Sequence, residues 1–446
     1  MSSSNTNINT GSDTVAKAQA AASDAVNTLL AMKDNTQITL ITFLTFFVII
    51  MAFIYYFYYN GTGSIGGISI IIIITVMLSI VGQAVMDKAG AVAGGILGAL
   101  IGIAVFVNMS KSKITRNCEL MDGVYGEKNV NISNTLVKEY ALRDYYIKTA
   151  YNCCSGGDYK NDYVSLCSLN DLLKQGVRGL DFEIYSVNDE PVVATSTVDN
   201  YCVKETFNYV LFSDVINSII NNAFTDNAPN PKDPIILHLR IKSENKNIYK
   251  KLSQLFQSNN NYFLPSSFSR EMKDEKGNII NFGKTKLSDI GTKIVVIVDK
   301  TNSTCLCEDC DECGEFYEYV NMTSNSNFMQ VLRYNDIQFT QTPDDLIDYN
   351  KTRMTIGVPN NGSNPENPSS VVMRAMGCQM LAMRYQSVDS NIEENDLFFN
   401  EKGHAFVLKP ADLREKITLL EPPPVQDPAL YYDTRVLKTE IYDLKI

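Results

Sequence analysis

Residues 175–197 read QGVRGLDFEIYSVNDEPVVATST, and the fold is decided in this stretch. Asp181, Glu183 and Tyr185 alternate with Leu180, Phe182 and Ile184, the period of two of a half-buried strand. Asn188-Asp189 supplies a turn, and Pro191-Val192-Val193-Ala194-Thr195 begins the next extended run. Asp181 and Glu183 therefore face the same side of one strand. That is how a barrel or an open α/β sheet presents acids or metal ligands at its mouth.

Outward from there, strand-like runs recur at 179–185, 191–195, 234–241, 293–298, 330–334, 354–358, 380–385 and 405–408. Helical patterns such as 214–223 and 249–256 lie between some of them. Strands interleaved with helices predict an α/β fold, a closed TIM-type (β/α)8 barrel. Between Thr301 and Asn327 the pattern breaks into an acidic insert carrying Cys305, Cys307, Cys310 and Cys313. Thiols so close together are open to three states: a zinc or other thiophilic metal site, disulfides in an oxidising place, or free thiols. Cys153, Cys154, Cys167 and Cys202 are candidates to pair with one another, and spacing does not give the connectivity.

The 446-residue chain carries a net charge of −11, which excludes a general nucleic-acid binder. It also excludes attachment to anionic lipid by charge alone. There are two histidines, His238 and His404, few for acid/base chemistry at neutral pH. His238 lies in an apolar strand and His404 in a Lys-Gly turn, so both read as structural or surface residues.

Three uncharged apolar segments, 38–59, 65–81 and 89–109, follow a polar tail (1–35) and predict an all-α transmembrane region over 36–110. The first ends in a tyrosine cluster suited to the bilayer surface. In the third, Gly90, Gly94, Gly98 and Gly102 share one helical face, where another span, including one from a second copy of the chain, can approach closely. Lys111, Lys113 and Arg116 follow the third segment, so the positive-inside rule puts the barrel in the cytosol and the N-terminus across the membrane. The division expected is then a juxtamembrane linker at 111–139, a first half-barrel at 140–300, the cysteine-rich insert at 301–329, and a second half-barrel with a C-terminal extension at 330–446.

The globular part resembles phosphoinositide-specific phospholipase C in both halves of its catalytic barrel. The likeness rests on Gly176 through Glu183, Glu190-Pro191-Val192-Val193, Phe212 through Ile216, Asp233 through Leu239, and 287–296 in the first (X) half. In the second (Y) half it rests on Tyr349 through Arg353, Gly377-Cys378-Gln379-Met380, and Phe406-Val407-Leu408-Lys409-Pro410. The resemblance implies a distorted TIM barrel with two catalytic histidines, a calcium site and basic residues for inositol phosphates at its mouth.

Position by position, that equipment is altered. Tyr151 and Thr195 stand where the family has its histidines, and Asn152, a calcium ligand in the family, is kept. The acidic pair survives as Asp181 and Glu183, but the remaining calcium carboxylate falls on Arg240, a permanent cation that repels calcium. Ile297 and Asp299 replace phosphate-gripping lysines, while Arg353 is retained as a phosphate contact and Thr355 replaces the aromatic after it. Tyrosine, with a pKa of about 10, is a poor base at neutral pH. The expectation is a membrane-anchored, catalytically inert relative with no cofactor beyond zinc at the cysteine cluster. Arg240 either pairs with the acids or leaves a residual cation site at Asn152, Asp181 and Glu183. Its partners would be the lipid bilayer together with inositol phospholipid head groups or a protein. A virion or virus-modified host membrane is one setting compatible with the Asn/Ile-rich composition. The alternative is a divergent phosphodiesterase using other residues at the same mouth.

Overall fold

The structure, a computed structural model, describes residues 64–126, 130–200, 202–270, 275–302, 315–416 and 434–445, with Ala20, Ser23, Lys273, Cys305 and Cys313 besides. The polar tail and the 38–59 segment thus lie outside the described residues, save Ala20 and Ser23.

The main sheet is built from β1 (Tyr145–Ala150), β2 (Gly179–Val187), β3 (Glu190–Ala194), β4 (Val210–Leu211), β5 (Ile235–Ile241), β6 (Ile294–Asp299), β7 (Met322–Ser324), β8 (Met329–Arg333), β9 (Met354–Val358), β10 (Met380–Met383) and β11 (Phe406–Leu408). The helices are α1 (Ser64–Tyr125), α2 (Leu166–Lys174), α3 (Phe212–Ala223), α4 (Lys246–Ser258), α5 (Leu287–Ile290), α6 (Tyr334–Gln338), α7 (Pro343–Thr352), α8 (Ser370–Ala375) and α9 (Ser390–Lys402). Eight strands run parallel in the order β7-β6-β5-β2-β1-β10-β9-β8, a nearly closed barrel of the TIM type. β7 and β8 do not pair, so the seam lies where the two halves meet.

Alternation along each strand divides the core into two layers. Leu180, Phe182 and Ile184 pack outward with Leu169, Ile216 and Leu252 of the helices. Ile147, Ile236, Val295, Ile297 and Met354 belong to a separate inner cluster. Strands covered on both faces carry near-continuous apolar runs, and β6 (IVVIVD) is the clearest example.

Two of the eight expected strands are not barrel staves. Residues 191–195 fall largely in β3, which folds back antiparallel on β2 through Asn188 and Asp189. Both turn residues have positive φ, 52° and 62°, as a two-residue hairpin turn of this hand requires. Residues 405–408 give β11, antiparallel to β1 at the barrel floor. The missing staves are β1 and β7. β1 (YYIKTA) is buried throughout, with no polar alternation to reveal it. β7 is three residues long and sits at the end of the 301–329 stretch, so that insert ends inside the barrel.

α1 folds back on itself within its length. The Gly82 backbone abuts the Gly90 carbonyl and Gly94 abuts that of Leu78. A methyl at Gly98 would lie 2.6 Å from Thr75 Cα, and one at Gly102 2.9 Å from Ile71 Cα. Ser79 Oγ also donates to the Ala91 carbonyl at 2.9 Å. Residues 71–82 and 90–102 therefore run antiparallel in contact, and the span that approaches the glycine face is the preceding segment of the same chain. Among the described residues Gly90–Val107 is long and apolar enough to cross a membrane, and Ile70–Gln83 is a shorter apolar helix. The helix continues to Tyr125, so much of the expected 111–139 linker is helical and packed on the barrel.

A Cβ at Gly95 would lie 3.8 Å from Ser79 Cβ, a separation suited to a disulfide. Ser79→Cys with Gly95→Cys should oxidise to an internal cross-link. After tryptic cleavage at Lys88 the two fragments should stay joined until reduced; separation without reductant would show that the hairpin is not formed.

Candidate functional site

The C-terminal ends of β2 and β5 build the centre of the site. Asp181 lies in register with His238, and Glu183 with Arg240. The loop after β1 delivers Tyr151 and Asn152 to the same place, Asn152 in the left-handed region at φ 50°. Its backbone N–H donates to Asp181 Oδ1 at 3.2 Å.

The Arg240 guanidinium occupies the middle. Its Nη2 and Nε donate to the two oxygens of Asp181 at 2.6 and 3.0 Å. Nη1 donates to Glu183 Oε1 at 2.9 Å, and Nη2 to Asn152 Oδ1 at 2.9 Å. Glu183 Oε2 accepts from the Tyr185 hydroxyl at 2.5 Å and the Ser196 N–H at 3.0 Å, with Lys242 Nζ 3.0 Å away. Tyr151 covers Arg240, its ring centroid 4.4 Å from the guanidinium carbon. Two carboxylates thus meet two cations in a buried cluster whose oxygens are all engaged.

Burial alone would raise both carboxyls. For Asp181, Arg240 and His238 outweigh it and hold the group well below the usual carboxylate range. For Glu183, Arg240, Lys242 and the Tyr185 hydroxyl outweigh burial and lower the group. Burial depresses Lys242, partly offset by Glu183. Burial raises the Tyr151 phenol, with Arg240 and Arg333 opposing, so this group is a still poorer base than free tyrosine.

The residues do not fit calcium. A calcium ion needs six to eight oxygen ligands around an open centre. Here Asn152, Asp181 and Glu183 all turn oxygens onto a guanidinium. The same geometry leaves no residual cation site at these three residues.

Beneath Arg240, His238 Nδ1 lies 2.7 Å from Asp181 Oδ2 and Nε2 lies 2.9 Å from Ser324 Oγ. With Asp181 ionised, Nδ1–H donates to it. The connectivity is that of a Ser-His-Asp triad. All three side chains are nevertheless fully buried, so no substrate reaches the serine hydroxyl. The relay satisfies interior polar groups and fixes Asp181. The expected structural role of His238 therefore has a specific content that an apolar strand context did not reveal.

Above Arg240 a cavity of about 270 Å³ opens at the mouth, lined by Tyr151, Asp199, Lys242, Asp299 and Arg333 among others. Arg333 ends β8, pairs with Asp199, and donates to the Tyr151 hydroxyl at 3.2 Å and the Pro359 carbonyl at 2.6 Å. Sequence reasoning passed over it, although an arginine at the C-terminal end of a stave marks a mouth residue. Arg353, the expected phosphate contact, stands at the opposite end: it precedes β9 and lies over the Tyr349 ring at 5.0 Å. Thr195 is buried and donates to the Tyr159 carbonyl at 2.9 Å, away from Arg240.

Cys305 and Cys313 form a disulfide with each other, which removes both from a four-thiolate zinc set; Cys307 and Cys310 lie outside the described residues. Cys167 pairs with Cys118 of α1 rather than with Cys153, Cys154 or Cys202, which are free. The larger concavity, about 720 Å³, lies on the outer wall around that disulfide, where Lys174 answers Asp122 and Asp171.

A nearly closed parallel barrel with charged side chains gathered at the strand C-termini defines the class of (β/α)8 proteins that carry their sites on that face. Residues 139–298 match the X domain of phosphatidylinositol-specific phospholipase C and 309–412 match its Y domain. The chain is a phosphoinositide phospholipase C-like protein. Among solved structures it is similar to PLC21 of L. pealei (18% identity, TM-score 0.49, 63% of this chain and 38% of that one). It is also similar to PLC21 of S. officinalis (18%, 0.49, 76% and 44%). A calcium-dependent phosphoinositol-specific phospholipase C from Pseudomonas sp is a third (10%, 0.39, 63% and 99%). The chain spans less than half the length of the two PLC21 structures. No curated protein matches it.

Arg240→Met removes the main offset to two buried carboxylates and should destabilise the fold by about 3–5 kcal/mol at neutral pH. In the native protein the carboxyl pKa values are depressed, so their contribution is present above about pH 4 and is lost as pH falls through the folded values. In the variant burial is opposed only by His238 at Asp181 and by Lys242 and Tyr185 at Glu183, so both carboxyls rise from their native values. The variant therefore gains less stability than the native protein as pH rises from about 4. The gap in melting temperature between the two proteins should widen from pH 4 to pH 7; a constant gap would show that Arg240 is not compensating these acids.

Proposed function

We propose that this protein is a membrane-anchored, non-hydrolytic phospholipase C-like protein whose barrel mouth binds an inositol phosphate head group. The observation that carries the reading is the Arg240 guanidinium, bonded at once to Asp181, Glu183 and Asn152. It fills the space a metal would need, and no histidine stands beside it to take a proton from an inositol hydroxyl. Tyr151 is a raised phenol, Thr195 is engaged elsewhere, and His238 is sealed below. Loss of a general base alone lowers a rate by about 10²–10⁴-fold.

Binding is supported by the cavity, which joins Arg333 and Lys242 at one opening. Asp199, half-exposed on the loop after β3, holds Arg333 by a carboxylate. A phosphate can replace that carboxylate in the same fork-shaped arrangement. The apolar α1 hairpin supports the anchoring half of the reading.

The test uses the full chain in nanodiscs of phosphatidylcholine with added phosphatidylinositol or its bisphosphate. With calcium present, release of inositol phosphates should equal that of empty nanodiscs. Calcium-dependent release that disappears in Asp181→Ala would overturn the reading. Radiolabelled inositol trisphosphate should bind, and Arg333→Ala should weaken it by about tenfold, the loss of one charge-assisted pair.

A further inference from the structure

The last turns of α1 and the length of α2 present facing stripes to one groove on the outer wall. On α2 the stripe is Cys167, Asn170, Asp171 and Lys174, spaced by three and four as one helical face requires. On α1 it is Cys118, Glu119 and Asp122, with Gly126 after them. Asn222 of α3 and Asn227 beyond it complete a concavity of about 720 Å³. The Cys118–Cys167 disulfide joins the two helices, and both of its cysteines line this groove. Each is partly exposed, unlike the free thiols Cys153, Cys154 and Cys378, which are buried. The bond is open to attack from solvent.

The two sulfurs differ in how well each would carry a negative charge. Cys167 stands two residues beyond Ser165, the N-cap of α2, whose side chain accepts from the Cys167 N–H at 3.3 Å. The helix N-terminus favours an anion at that sulfur. Cys118 lies within α1, with Glu119 beside it and Asp122 one turn on, and these acids disfavour one. An incoming thiolate therefore bonds to Cys118 and Cys167 leaves, since the more acidic thiol is the faster leaving group.

Charge selects the attacker. The groove holds three carboxylates, Glu119, Asp122 and Asp171, against the single ammonium of Lys174. Lys174 pairs most closely with Asp171, at 2.8 Å, and stands 3.4 Å from Asp122. Glu119 and Asp122 are exposed and leave the groove acidic. It repels an anionic thiol and draws in one whose sulfur is carried next to an ammonium.

We propose that the Cys118–Cys167 bond is a thiol–disulfide exchange site that takes a cationic thiol from the groove. The partner thiol gives its proton to water, and its sulfur bonds to Cys118 Sγ as the Cys118–Cys167 bond breaks, with Cys167 left as the thiolate. Return of Cys167 to Cys118 restores the protein. Alternatively a second cationic thiol attacks the bound partner's sulfur: the partner leaves as its own disulfide, oxidised by two electrons, and the protein keeps two thiols. Met121 and Tyr125 stay in the core, and Gln175 Nε2 donates to the Tyr125 carbonyl at 2.7 Å, so α1 holds its place when the bond opens. The groove shares no residue with the mouth cavity, so exchange here does not depend on what the mouth binds.

The test uses the full chain in nanodiscs, its fold followed by circular dichroism. Three small thiols are compared: cysteamine (cationic), 2-mercaptoethanol (neutral) and mercaptoacetate (anionic). After an acid quench and alkylation, trypsin cutting at Arg116, Lys128, Lys160 and Lys174 puts Cys118 and Cys167 in separate peptides, so the opening of this bond is read alone. Each rate is divided by that of the same thiol on a small uncharged disulfide. The cationic thiol should then exceed the anionic one by about tenfold at low salt, and by little at about 1 M salt. Glu119→Gln with Asp122→Asn, both at exposed positions, should remove most of that preference, and the first adduct should sit on the Cys118 peptide. Equal normalised rates, a preference untouched by the two substitutions, an adduct on Cys167, or a bond that opens only in denaturant would each overturn the proposal.

Discussion

The interior of the mouth depends on one buried ionic contact, the guanidinium of Arg240 between Asp181 and Glu183. Either carboxylate alone in that position would be costly to bury, and a guanidinium alone more so. Together, with Lys242 answering the second oxygen of Glu183, they make a neutral and fully bonded plug. Tyr151 gains its packing from the same group, since its ring lies over Arg240 and its hydroxyl accepts from Arg333. Arg240 is therefore the main cation that keeps both buried acids ionised.

At the other end, the floor is held by hydrogen bonds from long side chains to backbone carbonyls. Arg178 donates to the Ala223 and Asn230 carbonyls, Lys409 to those of Asn350 and Gly377, and Gln379 to those of Arg143, Asn350 and Arg353. These are the residues of the GVRG, GCQ and LKP stretches. Their demands are set by the course of the backbone and not by a ligand. They hold whatever the mouth carries, which is why the family is legible at the floor.

The sequence carried the barrel more clearly than the site. Alternation at 179–185 and the apolar runs of β5, β6, β9 and β10 were readable because each buries a continuous set of side chains. β1 and β7 were not, one lacking any polar contrast and the other too short to show a period. The approach of Arg240 to Asp181 and Glu183 followed from two strands being neighbours. The Ser324–His238 bond and the placement of Arg333 depend on strand lengths and register, which composition does not encode. Arg353 misled because a shift of a few residues along β9 moves a side chain from mouth to floor. The cysteines misled because Cys118 lies in a helix taken for a linker, and its partner is apparent only once that helix packs against α2.

The bond between Cys118 and Cys167 spans 49 positions, including β1 and the whole 151–165 loop. A peptide bond cut anywhere inside that span would leave the two pieces a single molecule. A protease acting there alone could not part the barrel from α1; a reductant would be needed as well.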